Sequence, residues 1–302
     1  MASRTTDLTY IDPILADCPE LSLTDSQVLY GSQFQLPLLE VQGARSRSVI
    51  ALQGAQLLSH QTDAGELLWL SNDCSFEPGL AIRGGIPLCL PWFGPHAEGG
   101  SYPKHGLARL QNWRLESAVC EEGVVVLRFD CLLKAGGGVV SDTTARLSMR
   151  LSDRVEMSLE VLNSGQASLP LSFAFHSYFK VSDARQAEVD GLDGHDYLDN
   201  TQQLKPQQQQ SRIGFGVEVD RVYESAAGSQ CLLGDTAVTV EGDHCPTVIV
   251  WNPGPELAAS MADVGEGWRH FVCVERGAAF KDRVSLPPGA SYMSRMTIVR
   301  ES

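Results

Sequence analysis

No apolar run in the 302 residues approaches the ~18 that a membrane-spanning helix requires. The opening stretch MASRTTDLTYIDPILADCPE holds one basic residue and no apolar core, so a secretory leader is not expected. Cationic residues are scarce, with 23 Lys and Arg against 37 Asp and Glu and a formal net charge of −14. Such a balance disfavours a nucleic-acid backbone and an anionic membrane, and neither is expected as a partner. Any anion bound here needs a local basic cluster.

None of the eight cysteines, at 18, 74, 89, 120, 131, 231, 245 and 273, forms a Cys-x-x-Cys pair. Cys89 and Cys273 stand in apolar runs, where cysteine serves as a small hydrophobe. The expectation is reduced thiols in a cytoplasmic protein. Metal-ligand spacing is missing as well: no two histidines sit at helical or hairpin offsets, and no Cys/His cluster is visible. No metal or other cofactor is expected. There is no serine nucleophile elbow, and Gly136–Gly138 lack the flanking strand and helix of a phosphate-cradling loop.

Helical periodicity is also scarce, and period two takes its place. In ARLSMRL (145–151), Ala145, Leu147, Met149 and Leu151 share one face. A turn at Ser152-Asp153 leads into VEMSLEV (155–161), with Val155, Met157, Leu159 and Val161 inward. That pattern is an antiparallel hairpin with one wet face. Similar strands are expected at Ser48–Leu52, Gln56–His60, Val124–Leu133, Leu169–Val181, Ala237–Glu241, Thr247–Asn252, Phe271–Glu275 and Tyr292–Val299, separated by Gly/Pro turns. The fold class is therefore all-β, a large antiparallel β-sandwich with few short helices. Residues 1–22 read as an N-terminal extension and 23–302 as one domain. The Gln-rich stretch 201–212 reads as an exposed loop.

Three segments break the pattern, and one strand carries an odd histidine. IRGGIPLCLPWFGPH (82–96) sets Arg83 before two glycines, either as a ligand-facing or a solvated loop arginine. YPKHGLARLQNW (102–113) gathers Lys104, His105 and Arg109, a phosphate or hydroxyl site or else a surface patch. FVCVERGAAF (271–280) places Glu275 on the face of Phe271 and Cys273, opposite Val272 and Val274. That carboxylate either reaches solvent or serves as a tuned base. FAFHSYFKVSD (173–183) sets His176 on the face of Ala174 and Tyr178, opposite Phe173 and Phe175, as a structural or a proton-transferring histidine. With Asp220 of DRVY, this inventory suits proton transfer without a covalent intermediate.

RGGIPLCLPWFG, KHGLARLQNW, FHSYFKVSD, DRVY and VWNPGPELAASMADVGEGWRHFVCVERG occur in that order. Together they resemble the aldose 1-epimerase superfamily over roughly residues 30–299, and most closely its hexose-6-phosphate branch. The resemblance implies a galactose-mutarotase-like sandwich that interconverts the α and β anomers of D-glucose 6-phosphate and related hexose 6-phosphates. It implies His176 as the acid at the ring oxygen and Glu275 as the base at the C1 hydroxyl. Asp220 would hold sugar hydroxyls, Arg83 and Arg109 the phosphate, and His105 would lie beside the sugar. Lys104 stands where the family pattern has glutamine, a cation in place of an amide. A monomer is expected. The other readings are an epimerase of unphosphorylated sugars and a non-catalytic sugar-binding module.

Overall fold

The computed structural model describes residues 8–301. Two large antiparallel sheets face each other. The nine-stranded sheet contains Arg114–Glu121, Val124–Leu133, Thr143–Leu151, Arg154–Asn163 and Ser291–Arg300 as consecutive neighbours. The eight-stranded sheet centres on Val219–Tyr223, Thr247–Asn252 and Phe271–Ala278, with Phe173–Phe175 and Tyr178–Lys180 both paired to the last of these. A five-stranded sheet over residues 21–66 packs beside them. None of the described helices is long and apolar enough to cross a membrane.

The predicted hairpin pairs Met149 with Met157, Leu147 with Leu159 and Ala145 with Val161. All six are buried in the main core. Burying a side chain of Leu, Met or Val size contributes roughly 1.5–3 kcal/mol, so the alternation fixes which face is inward. Met296 and Ile298 from the same sheet, and Phe173, Phe175, Val250, Val272 and Val274 from the opposite one, complete that core.

Every residue of Phe271–Ala278 is buried, so both faces of this strand are covered. Val272 and Val274 enter the main core, while Phe271 and Cys273 join Trp69, Tyr178 and Trp268 on the other side. The outer face of this sheet is where the non-alternating segments converge.

Three expectations are corrected. Leu169–Val181 is not one strand but three: Leu169–Leu171, Phe173–Phe175 and Tyr178–Lys180. At the second break the chain turns to the 85–87 segment, where His176 N–H donates to Pro87 O and Tyr178 N–H to Gly85 O. Part of the Gln-rich stretch is an edge strand, Lys205–Gln208. Next to it Gln209 is buried, accepting from Arg221 and the Tyr223 hydroxyl. Finally, Cys18 and Cys120, 102 residues apart, form a disulfide with Cα atoms 5.9 Å apart. Disulfides are uncommon in reducing compartments, so cysteine usage no longer argues for one.

Residues 1–7 of the expected extension lie outside the described residues. Beyond them, Ile11 and Cys18 are buried in the main core, and Leu21–Asp25 pairs with Pro37–Gln42.

Candidate active site

His176 and Glu275 meet on the outer face of the eight-stranded sheet, His176 Nε2 standing 3.4 Å from Glu275 Oε1. His176 sits at the break between the two short strands that pair with Phe271–Ala278, and Glu275 sits within that strand. The predicted alternation is what turns both side chains to this face. They are 8% and 1% exposed, and His176 Nδ1 and Glu275 Oε2 have no hydrogen-bond partner. Two buried polar atoms left unpaired are costly, and such atoms are tolerated where a site needs them.

Burial pushes the His176 imidazolium well below its ordinary range, and His105, Arg109 and Arg83 add to that. Burial pushes Glu275 well above its range, with Asp220 adding and Arg109 opposing. Both shifts favour the uncharged forms, with the shared proton on the carboxyl. Tyr178 stacks on His176 with centroids 4.7 Å apart and planes 11° apart, and Trp251 stands edge-on at 6.0 Å. The imidazole is therefore held by packing.

Arg83 reaches the same face. Its Nε donates to Asp263 Oδ2 at 2.9 Å and its Nη1 donates to the Tyr178 hydroxyl at 3.1 Å. The interaction with Tyr178 foremost keeps the guanidinium charged; burial opposes, and the Asp263 bond adds. Gly84 and Gly85 lie tightly against neighbouring backbone. A Cβ on Gly84 would stand 2.4 Å from Trp69 O, and one on Gly85 2.2 Å from Leu57 O.

The basic loop is folded tightly. His105 adopts φ +64°, donates its N–H to Gly94 O, and accepts from Gly94 N–H at Nδ1, which leaves Nε2 as the protonated nitrogen. Its ring lies 5.7 Å edge-on from His176. Burial foremost, then Arg109, Lys104 and Arg83, hold the His105 pKa down to about 3. Arg109 donates from Nη2 to Lys104 O and, among the described residues, has no carboxylate partner. The Lys104 side chain is exposed.

Asp220 stands on the same face, in register with Trp251, which in turn pairs with Cys273 and Cys273 with Tyr178. It accepts from Asn200 Nδ2 at 2.6 Å. Burial raises its pKa, and Asn200 and Lys104 oppose. All seven residues singled out from sequence thus fall on or beside one face, with Lys104 the most solvated.

Sequence inspection found no Cys/His cluster, yet His176, Cys273 and Glu275 each place a possible ligand atom within 4.8 Å of the others. The fold assembles that trio from two strands distant in sequence. It also missed Tyr178 and Asp263. Tyr178 had a signal, since it shares the face of His176; Asp263 lies in a loop whose approach to Arg83 no periodicity encodes. A separate cavity of about 240 Å³, lined by Pro91, Trp92, Phe93, Leu171, Phe280 and Arg283 among others, contains none of the seven.

An all-β sandwich with a buried His–Glu pair on one sheet face has the architecture of the galactose-mutarotase type. The model of the family "Aldose 1-epimerase" matches residues 37–299, and the chain belongs to that family, whose reaction interconverts sugar anomers. An Escherichia coli (strain K12) protein is 36% identical over 81% of this chain and 84% of its own length. A Salmonella typhimurium protein is 34% identical, covering 80% and 82%. One from Cenchrus ciliaris is 32% identical, covering 85% and 83%. All three bear the name "Putative glucose-6-phosphate 1-epimerase". The crystal structure of Salmonella typhimurium YeaD superposes with a TM-score of 0.83 at 30% identity, over 97% of this chain and 99% of that one. A galactose mutarotase-like protein from Clostridium acetobutylicum shares the fold at 13% identity, with a TM-score of 0.71 over 93% and 98%.

Proposed function

We propose that the protein interconverts the α and β anomers of D-glucose 6-phosphate and related hexose 6-phosphates. The observation that carries this reading is Arg83 and Arg109 converging on the His176–Glu275 pair in a chain of net charge −14. The names of the relatives point the same way. Long-range electrostatics repel a phosphate from this chain, so short-range contacts with arginines must hold it. The sugar phosphate reading also assigns the protein to the cytoplasm.

The chemistry follows from the hemiacetal. Glu275 takes the proton of the C1 hydroxyl as the C1=O1 double bond forms. The C1–O5 bond breaks, its electron pair moves to O5, and His176 delivers a proton there. Rotation about C1–C2 turns the other aldehyde face to O5, and closure reverses the transfers. Ring opening starts from a charged pair, imidazolium and carboxylate, and ends in an uncharged one. Burial makes the uncharged pair the resting form, so the pair's proton must first pass from Glu275 to His176, and the ring-opening step returns that cost. Asp220 and His105 Nε2–H would hold sugar hydroxyls, and Lys104 would add a solvated charge near the phosphate.

NMR exchange spectroscopy with glucose 6-phosphate, glucose and galactose tests this. Acceleration of glucose 6-phosphate exchange far above that of the free sugars is expected. Equal acceleration of all three would assign an epimerase of unphosphorylated sugars, and none, with folded protein, a binding module. Arg109→Ala is expected to raise KM for glucose 6-phosphate by tenfold or more, about the worth of one charge-assisted contact.

A further inference from the structure

Arg83 is fixed before any ligand arrives. A guanidinium carries five N–H donors. Asp263 takes the one on Nε and the Tyr178 hydroxyl takes one on Nη1. Both hydrogens of Nη2 and the second of Nη1 remain for a ligand. The Tyr178 oxygen accepts from Arg83, so its own hydrogen is also free to donate. Burial raises the Tyr178 pKa, so that hydrogen is retained at neutral pH. The Tyr178 ring is locked between His176, at 4.7 Å, and Phe271, at 5.2 Å. Its hydroxyl therefore cannot swing away from Arg83.

The Asp263 backbone is anchored independently of its carboxylate. Ser71 Oγ donates to Asp263 O at 2.6 Å, and Ser71 N–H donates to Arg83 O at 3.0 Å. One serine thus ties the Asp263 turn to the Arg83 segment, and the carboxylate is left to act on the guanidinium alone. An unrestrained arginine would lose its rotamer freedom on binding; here that freedom is lost in folding, which favours affinity. Arg109, with no carboxylate partner among the described residues, leaves the local charge positive.

We propose that Asp263 is the positioning residue for Arg83: it turns the free edge of that guanidinium, with the Tyr178 hydroxyl beside it, toward the phosphate that the reading above gives to the two arginines. This rests on the phosphorylated-sugar reading above. It separates the two arginines by role: Arg83 supplies a fixed hydrogen-bonding edge, and Arg109 supplies unneutralised charge.

Steady-state kinetics of Asp263→Ala, Asp263→Asn, Tyr178→Phe and Arg83→Ala, by exchange spectroscopy, test the proposal. Asp263→Ala is expected to raise KM for glucose 6-phosphate about tenfold, with kcat at saturation within about twofold, since one charge-assisted bond is removed from a group that only binds. Asp263→Asn keeps an acceptor and should recover most of that affinity. Tyr178→Phe keeps the stack on His176 and should also raise KM more than it lowers kcat. In an Arg83→Ala background, Asp263→Ala should add nothing further. Independent, multiplying effects of Asp263→Ala and Arg83→Ala, or a loss in Asp263→Ala that falls on kcat rather than KM, would overturn it. A wild-type protein that turns over glucose as well as glucose 6-phosphate defeats the proposed function itself. A wild-type preference that Asp263→Ala leaves intact defeats only the positioning role.

Discussion

His176 Nε2 and Glu275 Oε1 face each other across 3.4 Å, on segments that are hydrogen-bonded partners within one sheet. Neither side chain needs a flexible loop to reach the other, because the ladder between their strands sets the distance. Sites built on strands hold their geometry more closely than sites built on loops. Burial is the foremost cause of both shifts, downward for His176 and upward for Glu275.

Glu275→Gln is expected to lower kcat for anomer exchange by about 10²–10⁴, the usual worth of a positioned acid–base group. The thermal unfolding temperature should not fall, because glutamine fills the same volume without a group whose ionisation burial penalises. Exchange spectroscopy and a melting curve on one preparation read both. Full activity in this variant would remove Glu275 from the proton transfer.

The pH dependence of kcat should be flat. His176 is shifted down and Glu275 up, so the pair gains a second proton only in acid and loses its one proton only in base. His105, with its pKa down at about 3, stays neutral throughout. Between about pH 5 and 8, where an ordinary histidine titrates, kcat with saturating glucose 6-phosphate should change little. A limb with its midpoint near 6.5 would show that His176 titrates as a solvated histidine.

Stability should fall in mild acid through His60. This residue is 1% exposed, its Nδ1 is bonded to Ser48 Oγ at 2.8 Å, and its Nε2 has no partner. Burial lowers its pKa from 6.5 to about 4, with Glu66 opposing. The unfolded chain therefore binds a proton that the folded chain refuses. The stabilisation is complete above the unfolded pKa and is lost as pH falls toward the folded one. Denaturant unfolding should show a loss on the order of 3 kcal/mol from this group between about pH 6.5 and 4, absent in His60→Asn.

Gly106→Ala should cripple the basic loop. Gly106 has φ +72°, and a Cβ there would stand 2.0 Å from Leu90 O. That carbonyl accepts from the N–H groups of Leu107 and Ala108, so it cannot move without breaking the turn that carries Arg109. The strained backbone alone costs about 1–2 kcal/mol, and the clash adds to it. A fall in melting temperature together with a rise in KM is expected. An unchanged KM would mean that the loop does not contact the substrate.

The sequence by itself determined the all-β class, the 143–163 hairpin, and the split of Val272 and Val274 from Phe271, Cys273 and Glu275. Period-two alternation is a local property, and the burial of one face enforces it. It also marked the seven candidate residues, although for all but Asp220 a bland reading stood beside the chemical one. The tertiary structure decided what alternation cannot encode. It broke the strand at His176, whose N–H donates to Pro87 O, while the short strands on either side both pair with Phe271–Ala278. It brought Asp263 to Arg83 across 180 residues and Cys18 to Cys120 across 102. It packed the two glycines after Arg83 against the backbone at Trp69 and Leu57, where a side chain would clash. These contacts join residues far apart in the chain, and their free energy depends on loop closure and on burial by both partners at once, neither of which leaves a periodic trace.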